Sequence, residues 1–388
     1  MFQKYLIDLF LKAFSCTTHG TMTITLPDGS TQTFGGALPG VDADMHIQNP
    51  NAIFTMATKG DVGFAQTYRD GDWHTSDLTK VLIFGLQNEH ALEQFIYGNR
   101  LTNIASRFFY LFKRNTLDGS KRNIHHHYDI GNQFYSLWLD PSMTYSSALF
   151  NNDAESLEHA QYNKYDRIID RLSSASGSIL EIGCGWGGFA HRAVSDRNKD
   201  YEIKGITISN QQYDFAKERL QNNANIALED YRIQQGTYNH IVSIEMFEAV
   251  GESYWPTYFK QVKSLLHPGG NAVIQTISID DQFFEGYRKN ADVIRTYIFP
   301  GGMLPCEKRL QEEVTRAGLR MTDIYRFGKD YARTLQHWLK AFEEKTTHVK
   351  ALGMDDPFIR IWRFYLSACI ASFTVNRTNV LQIELQHA

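Results

Sequence analysis

Two stretches of this 388-residue chain carry residue types that could do chemistry. The first is ILEIGCGWGGFA, Ile179 to Ala190, where an apolar run enters Gly183-Cys184-Gly185-Trp186-Gly187-Gly188. Glycines permit a tight turn and close approach of a ligand to the backbone. Their spacing is GxGxG, at Gly183, Gly185 and Gly187, with Glu181 two residues ahead. The second stretch is NIHHHYDIGNQFY, Asn123 to Tyr135, whose three consecutive histidines raise the question of a metal. Neighbours on a helix point about 100° apart, so the three cannot share one ion there. No cysteine stands at ligand spacing beside them, and Asp129 is the only nearby carboxylate. No metal site is expected.

The elements that must position these residues can be read from periodicity. After about Ser173 the short apolar runs SILEIG, IKGITIS, NHIVSIEM and NAVIQTI alternate with helical segments. This predicts a mostly parallel sheet with helices on both faces, an α/β Rossmann-like fold. The strand, acid, GxGxG and helix in that order resemble the first motif of class I S-adenosylmethionine methyltransferases. Thr207, at the end of the second strand, and Gln212, at the start of the next helix, could bond ribose or carboxylate. Asp230 could accept from an adenine amino group, and Tyr231 could stack on the ring. Cys184 reads as a small packing residue, because the sequence places no base beside it.

The N-terminal part reads as a smaller α+β domain. Lys4, Asp8 and Lys12 form one narrow polar stripe on an otherwise apolar helix, which is expected to pack within its own domain rather than lie on a membrane. TMTITLPDGSTQTFGG predicts a β-hairpin turning at Pro27-Asp28-Gly29, and residues 51 to 110 read as mostly helical. From Phe95 to Arg122 six basic residues stand against one acid, Asp118, with aromatics between them. The strip suits anionic lipid headgroups, or it is a solvated helix end and linker. Leu117 to Ser120 gives the expected boundary, dividing domain 1–118 from domain 119–388.

Composition sets outer limits. The apolar and charged fractions, 43% and 21%, are those of an ordinary globular protein, and a net charge of −4 gives no case for nucleic acid. Cys16, Cys184, Cys306 and Cys369 form no CxxC pair, which argues against a disulfide framework or zinc ribbon and fits the reducing cytoplasm. No run reaches transmembrane length, and Asp8 interrupts the apolar N-terminus, which does not read as a signal peptide.

Further stretches make the likeness more specific. HYDIGNQFYSLWLDPSMTYSS, LEIGCGWGG, GITIS, VSIEMFEAVG, TYIFPGG, FGKDY and YLSACIASF resemble the cyclopropane fatty acid synthase family, and GFAQTYRDGDWHTSDL resembles its N-terminal lipid-binding domain. The resemblance implies methyl transfer from S-adenosylmethionine to a cis double bond of an acyl chain in a membrane phospholipid or carrier-linked lipid. It also implies a carbocation and a base that lets the ring close. The implied base is a bound bicarbonate, held here by Ser147, Glu248, Gln275, Ile277 and Tyr331. Ser147 stands where the family has Cys, Gln275 where it has His, and Ala249 replaces a His after the motif's Glu. Gln cannot take up a proton near neutral pH. Three outcomes follow: bicarbonate binds through Gln275, Glu248 is itself the base, or the cation resolves to a methyl-branched or methylene product. The cofactor contacts implied are Tyr145, Ser146, Gly183, Gly185, Gly187, Thr207, Gln212, Asp230 and Tyr231, with Tyr128 lining an acyl cavity. The resemblance further implies peripheral association with the inner face of the membrane and a possible homodimer. Competing readings are a plant-type N-methyltransferase, which the loss of the Glu-His pair at Ala249 disfavours, a lipid-binding protein without catalysis, and an oxidoreductase.

Overall fold

A computed structural model describes residues 2–97, 130–195, 199–290 and 292–388. The three histidines, Tyr128, most of the basic-aromatic strip and the expected boundary at 118 lie outside the described residues.

The chain forms two compact units. The first opens with the helix Phe2–Phe14, followed by strands β1 (His19–Thr25), β2 (Thr31–Gly35) and β3 (Leu38–Ile47). The helix Asn51–Arg69 comes next, then β4 (Trp73–His74) and the helices Leu78–Gln87 and Glu93–Tyr97. The strands lie in the order β2-β1-β3-β4. β1 and β2 make the expected hairpin, while β1 and β3 run parallel. Phe10 and Phe14 turn the N-terminal helix inward: their rings meet Phe95 at 5.2 Å and Phe84 at 6.1 Å. This helix therefore packs into its own unit, as its stripe of three charged residues predicts.

Gly286–Pro300 and Phe342–Arg377 belong to this first unit, so the division differs from a single cut at 118. The cause is the helix Asp356–Thr374, which contains YLSACIASF. Its Ile361 and Phe364 enter the core formed with Phe64, Tyr68 and Trp73. Arg360 of the same helix donates to the Tyr68 and Trp73 carbonyls. A hydrophobic face placed late in the sequence thus completes the N-terminal core, an arrangement that local patterning does not reveal.

The second unit is built on seven strands: β5 (Ser176–Ile182), β6 (Asp200–Thr207), β7 (Asn225–Leu228), β8 (Tyr238–Ile244), β9 (Leu266–Ile279), β10 (Leu319–Arg326) and β11 (Thr378–His387). Their order is β10-β11-β9-β8-β5-β6-β7. β9 through β7 are parallel, and β11 is antiparallel to both of its neighbours. The interior strands are continuous apolar runs because the sheet is covered on both faces. β5 thereby delivers the glycine loop, β8 the acidic turn after it, and β9 the run Gln275 to Ile277.

Ile274, buried in β9 between β8 and β11, tests this arrangement. Ile274→Ala is expected to cost about 2–5 kcal/mol, read as a lower urea midpoint.

Candidate active site

The glycine loop follows β5 and leads into the helix Gly188–Ser195. Gly183, Gly185 and Gly187 have φ of 80°, 52° and 78°, a region that L side chains rarely adopt. The loop is pinned by the Gly183 and Cys184 amides, both donating to the Ile206 carbonyl at 3.0 Å. A Cβ at Gly183 would stand 2.7 Å from Met246 Cγ, and one at Gly187 would stand 2.9 Å from Leu220 Cδ1. At Gly185 a Cβ would meet no protein atom within 4 Å. Two of the glycines therefore serve close packing, whereas the third faces space that a ligand can enter. Burial pushes the Cys184 thiol well up, consistent with a packing role.

The neighbouring cofactor candidates gather at the carboxyl ends of β5, β6 and β7, where open α/β sheets bind ligands. Thr207 Oγ1 donates to Gln212 Oε1 at 2.9 Å, and both residues are buried. Asp230 is clamped by Arg232, whose Nε and Nη2 donate to its two oxygens at 2.9 and 2.6 Å. That clamp was not legible in the sequence. Tyr231 lies edge-on to Tyr258. The GNQFY stretch is tied to the loop, since Trp186 Nε1 donates to Asn132 Oδ1 at 2.8 Å and the Asn132 amide donates to Gln211 Oε1 at 3.0 Å. Tyr145 sits among the rings of Tyr135, Trp138 and Trp338, with centroids 5.3 to 5.5 Å away. The Ser146 hydroxyl accepts from Lys164 Nζ at 2.7 Å.

Beside the loop is an acidic cluster whose centre was not anticipated. Glu245 follows β8 in a left-handed conformation, φ 49°, which for a non-glycine residue costs of order 1–3 kcal/mol. Glu245 Oε1 accepts from the Ser147 amide and from Gln275 Nε2, both at 2.8 Å, and the Tyr331 hydroxyl also bonds the carboxylate. Gln275 is held in turn: its Oε1 accepts from Gln382 Nε2 at 2.9 Å, and Gln382 Oε1 accepts from Arg167 Nη1 at 2.6 Å. Glu248 is served separately. Its Oε1 accepts from the Ile277 amide and from Thr276 Oγ1, while its buried Oε2 has no hydrogen bond among the described residues. The structure thus gathers Ser147, Gln275 and Tyr331 around a sixth residue, Glu245, and pairs Ile277 with Glu248. Glu245 lies within the quoted VSIEMFEAVG, yet only Glu248 had been assigned a role. An acid three residues before another was the available signal; its left-handed backbone had none.

The electrostatics follow from burial. Both residues are partly exposed, but burial of the carboxyl ends raises both pKa values. Glu248 is pushed up to about 8 by burial and by the charge of Glu245. For Glu245 burial is opposed by the Ser147 and Gln275 donors and by nearby Lys164. Burial raises both, and the donors are shared unevenly: Glu245 takes the Ser147 amide, Gln275 and the Tyr331 hydroxyl, Glu248 the Ile277 amide and Thr276. Lys164, a second residue missed in the sequence, is buried and lowered to about 7 by desolvation, against Glu245, Asp140 and Glu181. Burial also raises Glu181 to about 8, with Lys164 opposing it.

Two outcomes are expected. Gly185→Ala adds volume where the protein is open and places alanine at a left-handed φ, so S-adenosylmethionine affinity by calorimetry should fall at least about tenfold, beyond the cost of about 1–2 kcal/mol that the strained backbone takes from thermal stability. The second concerns pH. Glu181 and Glu248 retain protons in the folded chain that the unfolded chain releases above 4.5. Their contribution is complete below 4.5 and is lost as pH rises to about 8, because there the folded state binds more protons. Lys164 acts oppositely, but only above about 7. Between about pH 5 and about pH 7 the Glu181→Gln variant should therefore lose less thermal stability than the wild type.

Comparison with known proteins supplies the family. The family described as mycolic acid cyclopropane synthetase matches residues 115–383. The tuberculostearic acid methyltransferase UfaA1 of Mycobacterium tuberculosis is 32% identical over 381 residues, covering 94% of this chain and 87% of that protein. The cyclopropane-fatty-acyl-phospholipid synthase of Escherichia coli is 35% identical over 355 residues, covering 88% and 87%. The solved structure of mycolic acid cyclopropane synthase CmaA1, complexed with SAH and CTAB, aligns at a TM-score of 0.63 and 28% identity, over 69% of this chain and 98% of that one. With its glycine loop, its seven-stranded sheet and these matches, the chain belongs to the mycolic acid cyclopropane synthetase family of S-adenosylmethionine-dependent methyltransferases.

Proposed function

We propose that this chain transfers the methyl group of S-adenosylmethionine to a cis double bond of an unsaturated acyl chain of a membrane phospholipid and lets the product close to a cyclopropane. The observation that carries this reading is the pair Glu245 and Glu248, with buried carboxyl ends, beside the cofactor loop. Met246 lies between them in sequence and contacts Gly183. Alkene methylation needs a base close to the transferred methyl and surroundings from which water is kept away from the cation.

The residues present fit the cofactor. Gly183, Gly185 and Gly187 would bring backbone against it, Thr207, Gln212, Asp230 and Ser146 would offer polar contacts, and Tyr231 and Tyr145 ring faces. S-adenosylmethionine supplies an electrophilic methyl on a cationic sulfur. Tyr135, Trp138, Tyr145, Tyr331 and Trp338 form a connected ring cluster, with Tyr331 and Trp338 centroids 5.9 Å apart. Such ring faces exclude water and favour positive charge. The reading includes peripheral contact with an anionic lipid surface, which Arg107, Lys113 and Arg114 of the basic strip would favour; no helix among the described residues is long and apolar enough to cross a membrane.

A second reading has the same methyl transfer ending in a methyl-branched or methylene chain, and the relative named for tuberculostearic acid favours it. A likeness to coclaurine N-methyltransferase at 16% identity shows the fold alone. Lipid mass spectrometry of cells with and without the protein decides. A gain of one CH₂ per acyl chain with loss of the double bond is expected. The same gain with retained unsaturation would establish the second reading, and no change in any acyl lipid would remove both.

A further inference from the structure

We propose that the base of this enzyme is the carboxylate of Glu245, seated on the groups that would otherwise hold a bicarbonate ion. The inference rests on the lipid methylation proposed above and deepens it. Five positions were implied as the bicarbonate seat. Three of them, the Ser147 amide, Gln275 Nε2 and the Tyr331 hydroxyl, are engaged by Glu245. The other two, Glu248 and the Ile277 amide, bond each other. A bicarbonate ion therefore does not fit: its donors are taken, and it would add a further anion beside two carboxyl groups.

The chain is arranged to hold Glu245 in this place. Its left-handed backbone turns the side chain out of the line of β8. Its amide donates to the Gln275 carbonyl at 2.8 Å, while the Gln275 side chain donates to its carboxylate. The relay Arg167 to Gln382 to Gln275 fixes which end of the Gln275 amide faces Glu245. This accounts for glutamine in place of histidine. A permanently bound carboxylate needs a neutral, oriented donor, and a cationic imidazole there would hold the charge in a tight ion pair and weaken the base.

The step balances. Once the acyl chain carries the new methyl and a carbocation, one methyl proton passes to a Glu245 oxygen. The electron pair of that C–H bond forms the ring-closing C–C bond and neutralises the cation. The anionic carboxylate and the cationic lipid become a neutral acid and a neutral cyclopropane, and Glu245 releases the proton to water as the product leaves.

The test uses the full chain, labelled S-adenosylmethionine and dioleoyl phosphatidylglycerol vesicles in buffer purged of carbon dioxide. Wild-type turnover should be unchanged by purging or by adding millimolar bicarbonate. Glu245→Gln should lower kcat at least about 100-fold with S-adenosylmethionine affinity, measured by calorimetry, retained. Glu245→Gly, which suits the left-handed backbone and vacates the seat, should regain turnover when bicarbonate is added. Wild-type turnover that disappears on purging and returns with bicarbonate would overturn the proposal whatever the variants do. So would near-wild-type turnover of Glu245→Gln, or a Glu245→Gly variant indifferent to bicarbonate. Absence of any acyl methylation by the wild type would instead strike at the functional reading and carry this inference down with it.

Discussion

A carboxylate withdrawn from water must find its donors within the protein or hold a proton, and the active site is arranged around that constraint. Glu245 finds three donors from three separate segments: the loop carrying Ser147, strand β9 with Gln275, and the helix Gly328–Glu344 with Tyr331. Glu248, three residues later, finds the β9 backbone at Ile277 and the Thr276 hydroxyl, and its other oxygen has no hydrogen bond among the described residues. The charge of each acid opposes ionisation of the other, and the donors each one finds offset that cost unevenly.

The same constraint explains polar residues that would otherwise be costly to bury. Gln382 on β11 and Arg167 on the helix Leu157–Asp170 are far from Glu245 in sequence, yet they orient Gln275. Lys164 lies one turn before Arg167 on that helix and places its ammonium between Ser146 and Gln161, under the field of Glu245 and Glu181. A lone buried ammonium would be strongly disfavoured; here it offsets the cluster and is itself shifted toward neutrality. The glycine loop and the acidic turn then meet through Met246 beside Gly183.

Much was legible in the sequence. Apolar runs separated by helical segments gave the parallel sheet, because a sheet covered on both faces demands continuous apolar strands. The GxGxG spacing marked the loop, since positive φ at alternate positions admits little but glycine. The hairpin at Pro27-Asp28-Gly29 and the inward packing of the N-terminal helix followed from equally local rules. The membership of Asp356–Thr374 in the N-terminal core was not legible, because an apolar helix face does not name its partner.

By itself the sequence determined the fold class and the cofactor loop, and its family resemblance named a set of residues from Ser147 to Tyr331. Tertiary structure alone decided what those residues surround. Glu245 had no local mark: its place comes from a backbone angle and from donors separated from it by 98, 30 and 86 positions. Such convergence is a property of the packed chain, and spacing along the sequence carries no record of it.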